Sequence, residues 1–428
     1  MSTKNHKSFW DEIQEKYEFS NIRFIPAFYL SAGMKITLDI CEKEVRTNCP
    51  VCKRRPNIHE YHPKTLTFGT VNGVPLEFVL KQCRYLCKHC DMTFMENFEH
   101  LPDFRSLTQD AEHYIISKLG SQTFTEIAGE LGVCVQTIAN RAREFGKSER
   151  ELQLNRRYTH LSMDEVFISR NNNGEALYYW LLNDNSLSWK SNNIRVDEGR
   201  KQEDVIRRLQ ELKYPEHVVA VSIDMWKPYR DAIAQVLPQA AIVIDRFHVV
   251  KIAQAGLDIV RKKANVPKAM KSALKKDAGV FLSSVFKLSD AELVRLESYL
   301  KADASLEKAW FITQELMEFY NIRDYEHALE YLADWETCVL NSGIEEMEIV
   351  LRTVVNWLPY IMNYFIHRIT SGRTEGRNNL LRTIDRLGFH YGVDSLQACL
   401  YAHDRKQEYS KWKRHQRKCE NRNFPLAA

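Results

Sequence analysis

Two sets of residues in this chain have the types and spacing to do chemistry. The first is acidic. The run Val218–Ile223 leads into Asp224, and Ala241–Ile244 leads into Asp245. A third apolar stretch, Tyr158 to Ser169, carries Asp164 in its middle. Short continuous runs rich in β-branched residues read as strands buried on both faces. A carboxylate at the carboxyl end of such a strand stands where open α/β sheets place their chemistry. Two carboxylates brought together repel unless a cation lies between them. Hard oxygen ligands then select Mg²⁺ or Mn²⁺. The second set is Cys49, Cys52, Cys87 and Cys90, two CxxC pairs. Paired knuckles bring four thiolates to the corners of a tetrahedron, which suits one structural Zn²⁺ and leaves no open coordination position. Cys41, Cys83, His59, His62 and His89 are alternative ligands.

These groups need elements to hold them. Trp226 to Val236 carries apolar residues at helical spacing between the two strands that end on aspartate, which makes a βαβ unit. Upstream, Tyr158–Ser169, Ala176–Leu182 and Ser188–Val196 read as strands, the first two joined by the hairpin turn NNNG at 171–174. Asp197–Leu212 reads as an amphipathic helix. Three antiparallel strands, helix, strand, helix, strand is the order of an RNase H-like fold. In that order Asp164 and Asp224 face each other on neighbouring strands. The cysteine pairs are joined by Thr65–Phe68, a turn at Asn72–Gly73 and Leu76–Leu80, a zinc ribbon whose long gap implies an inserted hairpin.

Between these regions, Thr123 and Glu126 form a capping box before a helix at Phe124–Leu131. Gly132 supplies a turn and Val133–Phe145 a second helix, with Ala128 small enough for close approach. This reads as a helix-turn-helix, with Cys134 where Ser or Thr would cap the second helix. Gln136, Thr137, Asn140, Arg141 and Arg143 face outward, suited to base edges and phosphates. From Ile252 to about Tyr364 the pattern is helical, and Trp310, Trp335 and Trp357 are expected in cores.

The expected fold class is therefore multi-domain α/β: a zinc ribbon and helix-turn-helix, then an RNase H-like mixed sheet core interrupted by an all-helical insertion. The expected boundaries are 1–40 without a motif, 41–104 for the zinc ribbon and 105–150 for the helix-turn-helix. The first part of the core is 156–255, the insertion 256–368, the core's final helix region 369–405, and the basic tail 406–428.

Composition limits the function classes. Of 428 residues, 44% are hydrophobic and 27% charged, ordinary for a soluble globular protein. No apolar run is long enough for a bilayer, and the N-terminus lacks a signal-peptide pattern. The expectation is a cytoplasmic protein with reduced thiols, so the ten cysteines need a reason other than disulfides. A net charge of +4 does not by itself demand nucleic acid. Local basic clusters at Arg261–Lys263, Lys268–Lys276 and Lys411–Lys418 are either solvated helix faces or, given a second and independent signal, salt-dependent contacts to a nucleic-acid backbone.

Three segments together carry a specific resemblance: Asp164–Glu165 on an apolar strand, SIDMWKPY at 222–229 and VIDRFHVVK at 243–251. They resemble the DDE transposases of bacterial insertion sequences, and most closely the "ISL-three" family, over about residues 45 to 410. The resemblance implies that a glutamate in an EGxN setting completes the metal site. Glu375, Gly376 and Asn378 match it within TSGRTEGRNN at 370–379, although Ser371 stands where members often have Asn. Asp245 and His248 are similar to the C/D-x-x-H motif of Mutator-like transposases. That implies a supporting role near the metal or the scissile phosphate, not ligation. Arg246 and Lys251 are either backbone contacts or surface charges.

The implied reaction is phosphoryl transfer with two divalent ions held by Asp164, Asp224 and Glu375, first hydrolysing a strand at the element's end, then joining it to target DNA. The implied partners are terminal inverted repeats, target DNA and a second copy of the chain, at least a dimer. Two other classes share these residues: a DNA-binding regulator with an inactive RNase H-like domain, and a metal-dependent structure-specific nuclease.

Overall fold

The computed structural model describes residues 21–25, 36–41, 48–71, 74–96, 107–170, 176–187, 190–369 and 372–422. The expected turns at Asn72–Gly73 and 171–174 lie outside them, as do the side chains of the basic tail. The chain forms two compact units, one of residues 1–149 with 383–428, the other of 150–382. Residues 383–405, expected with the catalytic core, thus count with the first unit. Among the described residues no helix is long and apolar enough to cross a membrane.

The first unit is built on a five-stranded sheet. β3 (Asn57–Val71) and β4 (Val74–Cys87) form a long antiparallel pair, with Leu66 opposite Phe78. Leu66, Leu76 and Phe78 are fully buried and anchor its core. β5 (Met92–Met95) pairs with the Cys87 end of β4. β2 (Ile36–Cys41) runs parallel to the middle of β4, and β1 (Asn21–Ile25) pairs antiparallel with β2. Those two strands fall where the sequence carries no motif.

Helix α1 (Gln109–Lys118) follows, then α2 (Phe124–Leu131) and α3 (Val135–Leu154). The capping box at α2 forms as expected: Thr123 Oγ1 accepts from the Glu126 N–H at 3.1 Å, and the Glu126 carboxylate accepts from the Thr123 N–H at 2.7 Å. Gly132 turns the chain in the left-handed region. α3 begins two residues later than expected and runs nine further. Nothing after Phe145 stops it except Gly146, which here serves packing. A Cβ at Gly146 would stand 3.1 Å from Ala398 Cβ.

The second unit holds a mixed sheet in the order β10-β9-β6-β7-β8. β6 (His160–Arg170), β7 (Ala176–Leu187) and β8 (Lys190–Glu198) are antiparallel. α4 (Gln202–Gln210) leads to β9 (Ala220–Ile223), parallel to β6. α5 (Lys227–Val236) leads to β10 (Ala241–Ile244), parallel to β9. The expected sequence of elements is met one for one. The helix expected from Asp197 starts instead at Gln202, because Asp197 still pairs with Trp180 and Gly199, at φ +80°, ends the strand. Two buried arginines brace α4 on the sheet: Arg195 reaches Asp197 at 2.5 Å and Glu211 at 2.9 Å, and Arg208 donates to the Gly199 carbonyl at 2.9 Å.

β10 runs straight into α6 (Arg246–Lys263), the start of a helical block that includes α7 (Ala304–Phe319), α8 (Tyr325–Ser342) and α9 (Glu345–Asn356). Trp310, Trp335 and Trp357 are buried in it, as expected, and Trp335 Nε1 donates to the Ile312 carbonyl at 2.9 Å. The block returns to its point of departure: the Asn363 amide donates to the Ile242 carbonyl of β10 at 2.8 Å. α10 (Gly372–Leu387) follows, and α11 (Val393–Arg422) ends the described chain.

Candidate functional site

Strand register brings the acidic residues together. Ser162 of β6 lies beside Ser222 of β9 in a parallel pair. Two residues further on stand Asp164, still in β6, and Asp224, the first residue past β9. A two-residue period keeps Asp164 on the same face as Ser162. β10 ends level with β9, since the Asp245 N–H donates to the Ile223 carbonyl at 3.1 Å. Asp245 is 1% exposed and caps α6. That start aims the first turn of α6 at the acidic pair: His248 Nε2 is 2.6 Å from Asp224 Oδ1 and 4.0 Å from Asp245 Oδ2. Ligand atoms of Asp164, Asp224 and His248 all lie within 4.8 Å of one another. The sequence reading keeps His248 outside the ligand set; the structure places its ring nitrogen among the carboxylates.

Both oxygens of Asp164 are engaged. Oδ1 accepts the Glu165 N–H at 2.7 Å and Oδ2 accepts the Asn378 amide at 2.6 Å. Burial nevertheless pushes the Asp164 carboxyl up to about 7, with the Asp224 charge adding to the rise. Burial pulls His248 down, but its bond to Asp224 and the charges of Asp224, Asp245 and Asp164 outweigh that and raise it. Without a cation, the cluster retains protons.

α10 closes one side of the site. The Thr374 and Ser162 hydroxyls share a hydrogen bond at 2.9 Å, four residues before the Asn378–Asp164 contact. One helical turn advances about 5.4 Å and two strand residues about 6.6 Å, so α10 runs along β6 nearly in step. Glu375 sits in the first turn of α10 and is exposed. It lies outside the Asp164–Asp224–His248 cluster but lines the same cleft, of about 570 Å³. Arg246, Lys251, Lys287 and Arg382 line it too, so an acidic floor meets a basic rim.

A further group holds the motif segment. Glu165 pairs with Arg200 and accepts from the Tyr229 hydroxyl at 3.0 Å. The Arg200 guanidinium lies 4.3 Å from the Tyr178 ring centre and 4.8 Å from that of Trp226. Trp226 and Tyr229 of SIDMWKPY thus clamp the turn after Asp224. Arg200 falls in the segment expected as the first turn of a helix, and nothing there marks it as a partner of Glu165.

In the first unit, the Sγ atoms of Cys49, Cys52, Cys87 and Cys90 lie within 4.8 Å of one another. Each knuckle is followed by a residue in the left-handed region, Lys53 at φ 59° and Asp91 at φ 47°, a matched pair of turns. The Cys52 N–H pulls the Cys49 thiol down to about 7, while the neighbouring cysteines push Cys90 up to about 12. Four thiols that share negative charge in this way fit a thiophilic cation. Of the alternative ligands, Cys83, His59, His62 and His89 are described and lie outside this cluster. On α3, Gln136 and Asn140 are exposed and bonded to each other at 2.9 Å. Thr137 sits 3.4 Å from the Cys134 thiol, which takes the capping place. Arg141 is drawn to Glu144 at 2.7 Å.

Comparison with known proteins bears on this arrangement. The model of the "ISL-three" DDE family, described as a transposase, matches residues 161–399. The transposase for insertion sequence element IS1001 of Bordetella parapertussis is 28% identical over 181 residues, 41% of this chain. The chain spans 45% of that curated relative's length. Among solved structures, the Drosophila P element transposase strand transfer complex aligns with a TM-score of 0.39 at 9% identity, covering 72% of this chain and 93% of that one.

Proposed function

Since the chain belongs to the "ISL-three" family of insertion-sequence transposases, we propose that it cuts the ends of a DNA element and joins them to target DNA. The observation that carries this is the approach of Asp164, in β6, and Asp224, just past β9, with Asp164 and His248 lining a cleft that has a basic rim. The strand order supports an RNase H-like reading of the second unit. Asp164, Asp224 and Glu375 would hold Mg²⁺ or Mn²⁺, and the fit is chemical: two apposed carboxylates, one with its proton held up to about 7, need a hard cation to be charged together. When bound, the cations stabilise charge on the attacking and leaving oxygens of phosphoryl transfer. His248, fixed by Asp245 and bonded to Asp224, orients that carboxylate and presents a proton donor to the cleft. Arg246, Lys251, Lys287 and Arg382 face the phosphates on either side of the scissile bond. Asp245 acts as the fixed foundation of α6, orienting His248 near the scissile phosphate and not ligating the metal.

The cysteine cluster holds one structural Zn²⁺ in a zinc ribbon. α2 and α3 act as a helix-turn-helix that reads the terminal inverted repeats through Gln136, Thr137, Asn140 and Arg141. Cutting two ends and joining them at one target calls for at least a dimer. The test uses the purified chain, Mn²⁺, a labelled terminal repeat and a target plasmid. Joined product is the expected result. Nicks without joining would indicate a nuclease, and binding without cleavage a regulator.

A further inference from the structure

Asn378 is 6% exposed, yet it lines the cleft. Its amide nitrogen donates to Asp164 Oδ2 at 2.6 Å. Its amide oxygen is buried and, among the described residues, meets no hydrogen-bond donor. With Asp164 ionised, as a bound cation requires, turning the amide over would not help, because it would set a carbonyl oxygen against a carboxylate. The orientation is therefore fixed by Asp164, and the orphaned oxygen remains beside the acidic pair. Leaving such an acceptor unsatisfied is destabilising. No described residue supplies the donor. Beside two carboxylates, the donors at hand are the waters that a small divalent cation retains on binding.

We propose that Asn378 is a positioning residue with two ends. Its N–H fixes the Asp164 carboxylate, and its oxygen receives a hydrogen bond from water in the cation's hydration shell. The inference rests on the metal-site reading given above and extends it to a neutral side chain. It explains why an amide, and not a carboxylate, stands here. A third acid would repel Asp164, whereas an apolar residue would leave Oδ2 unbound and the shell without an acceptor. Thr374 supplies an internal control. It makes the other tie between α10 and β6, one helical turn away, to Ser162, not to an acidic group.

The test measures Mn²⁺ affinity of the full chain by calorimetry and by electron paramagnetic resonance, with folding followed by circular dichroism. Asn378→Ala is expected to weaken Mn²⁺ binding by roughly 10- to 100-fold, the usual cost of losing a group that supports a metal ligand. Thr374→Val is expected to lower the melting temperature and leave Mn²⁺ affinity unchanged. Asn378→Asp keeps the acceptor and adds charge, so it is expected to bind Mn²⁺ at least as tightly as the parent while melting lower in EDTA. Unchanged affinity in Asn378→Ala would overturn the proposal. So would an equal loss in Thr374→Val, since the amide would then act only by docking the helix. A parent chain that binds no Mn²⁺ would overturn the metal-site reading itself, a result distinct from either.

Discussion

Asp164→Asn is expected to stabilise the metal-free protein while destroying its metal site. The carboxyl is pushed up to about 7 from 3.8, first by burial and then by Asp224. In the folded chain it therefore keeps a proton that the unfolded chain has released. Between those two values the native state binds the extra proton, so stability falls as pH rises across that window and levels off above it. A rise of this size corresponds to about 4 kcal/mol. The cleft mouth is open to water, so the expected penalty at pH 8 is about 2–4 kcal/mol, against about 1–2 kcal/mol at pH 5. Asparagine removes the titration and keeps the volume; its oxygen still accepts from the Glu165 N–H, and the Asn378 amide turns over to accept from its new N–H. In EDTA at pH 8 the variant should melt higher than the parent, by about 4–10 °C for a unit of this size. The gain should shrink by about half at pH 5. Mn²⁺ should raise the melting temperature of the parent and leave the variant where it was. Scanning calorimetry of both proteins at the two pH values, with and without Mn²⁺, checks each step. A variant that melts at or below the parent in EDTA at pH 8 would refute the reasoning, as would a gain of the same size at both pH values.

Other outcomes follow from the same geometry. Asp224→Ala should abolish cleavage of a labelled end while leaving end binding in a gel-shift assay nearly intact; unchanged cleavage would remove Asp224 from the metal site. Purified protein should contain one zinc per chain by elemental analysis. Cys87→Ser should lose it and unfold the first unit, visible as lost end binding with Mn²⁺ affinity retained. Tyr229→Phe should cost about 0.5–1.5 kcal/mol in chemical denaturation, because its hydroxyl donates to Glu165 at 3.0 Å; no measurable change would mean that the clamp on the turn after Asp224 does not need this bond.

The parts of the site that follow from local pattern were legible in the sequence. The runs into Asp224 and Asp245 become β9 and β10, the CxxC pairs converge, and the capping box at Thr123 forms with both of its bonds. Each depends on residues close in sequence, or on a periodicity that declares which face is buried. What stayed hidden depends on docking. β1 and β2 gain their identity by pairing onto β4, which no short pattern in that segment announces. His248 joins the acidic pair because β10 stops level with β9, and a C/D-x-x-H resemblance does not carry that distance. Asn378 meets Asp164 across 214 positions because α10 keeps step with β6. Glu375 was legible only through family resemblance; it reaches the cleft but lies outside the tight cluster.

The single bond from Asn363 to Ile242 has a consequence for how such a chain can change over time. The helical block leaves the sheet at Asp245 and comes home three residues from where it left. Its two ends meet on β10, so the intervening helices form a closed excursion from the sheet. Lengthening a detour whose ends are already joined costs little entropy, since that cost grows only with the logarithm of length. The loops between its outer helices can therefore be lengthened or trimmed by descent, while α6 and Lys287, which line the cleft, are held to it.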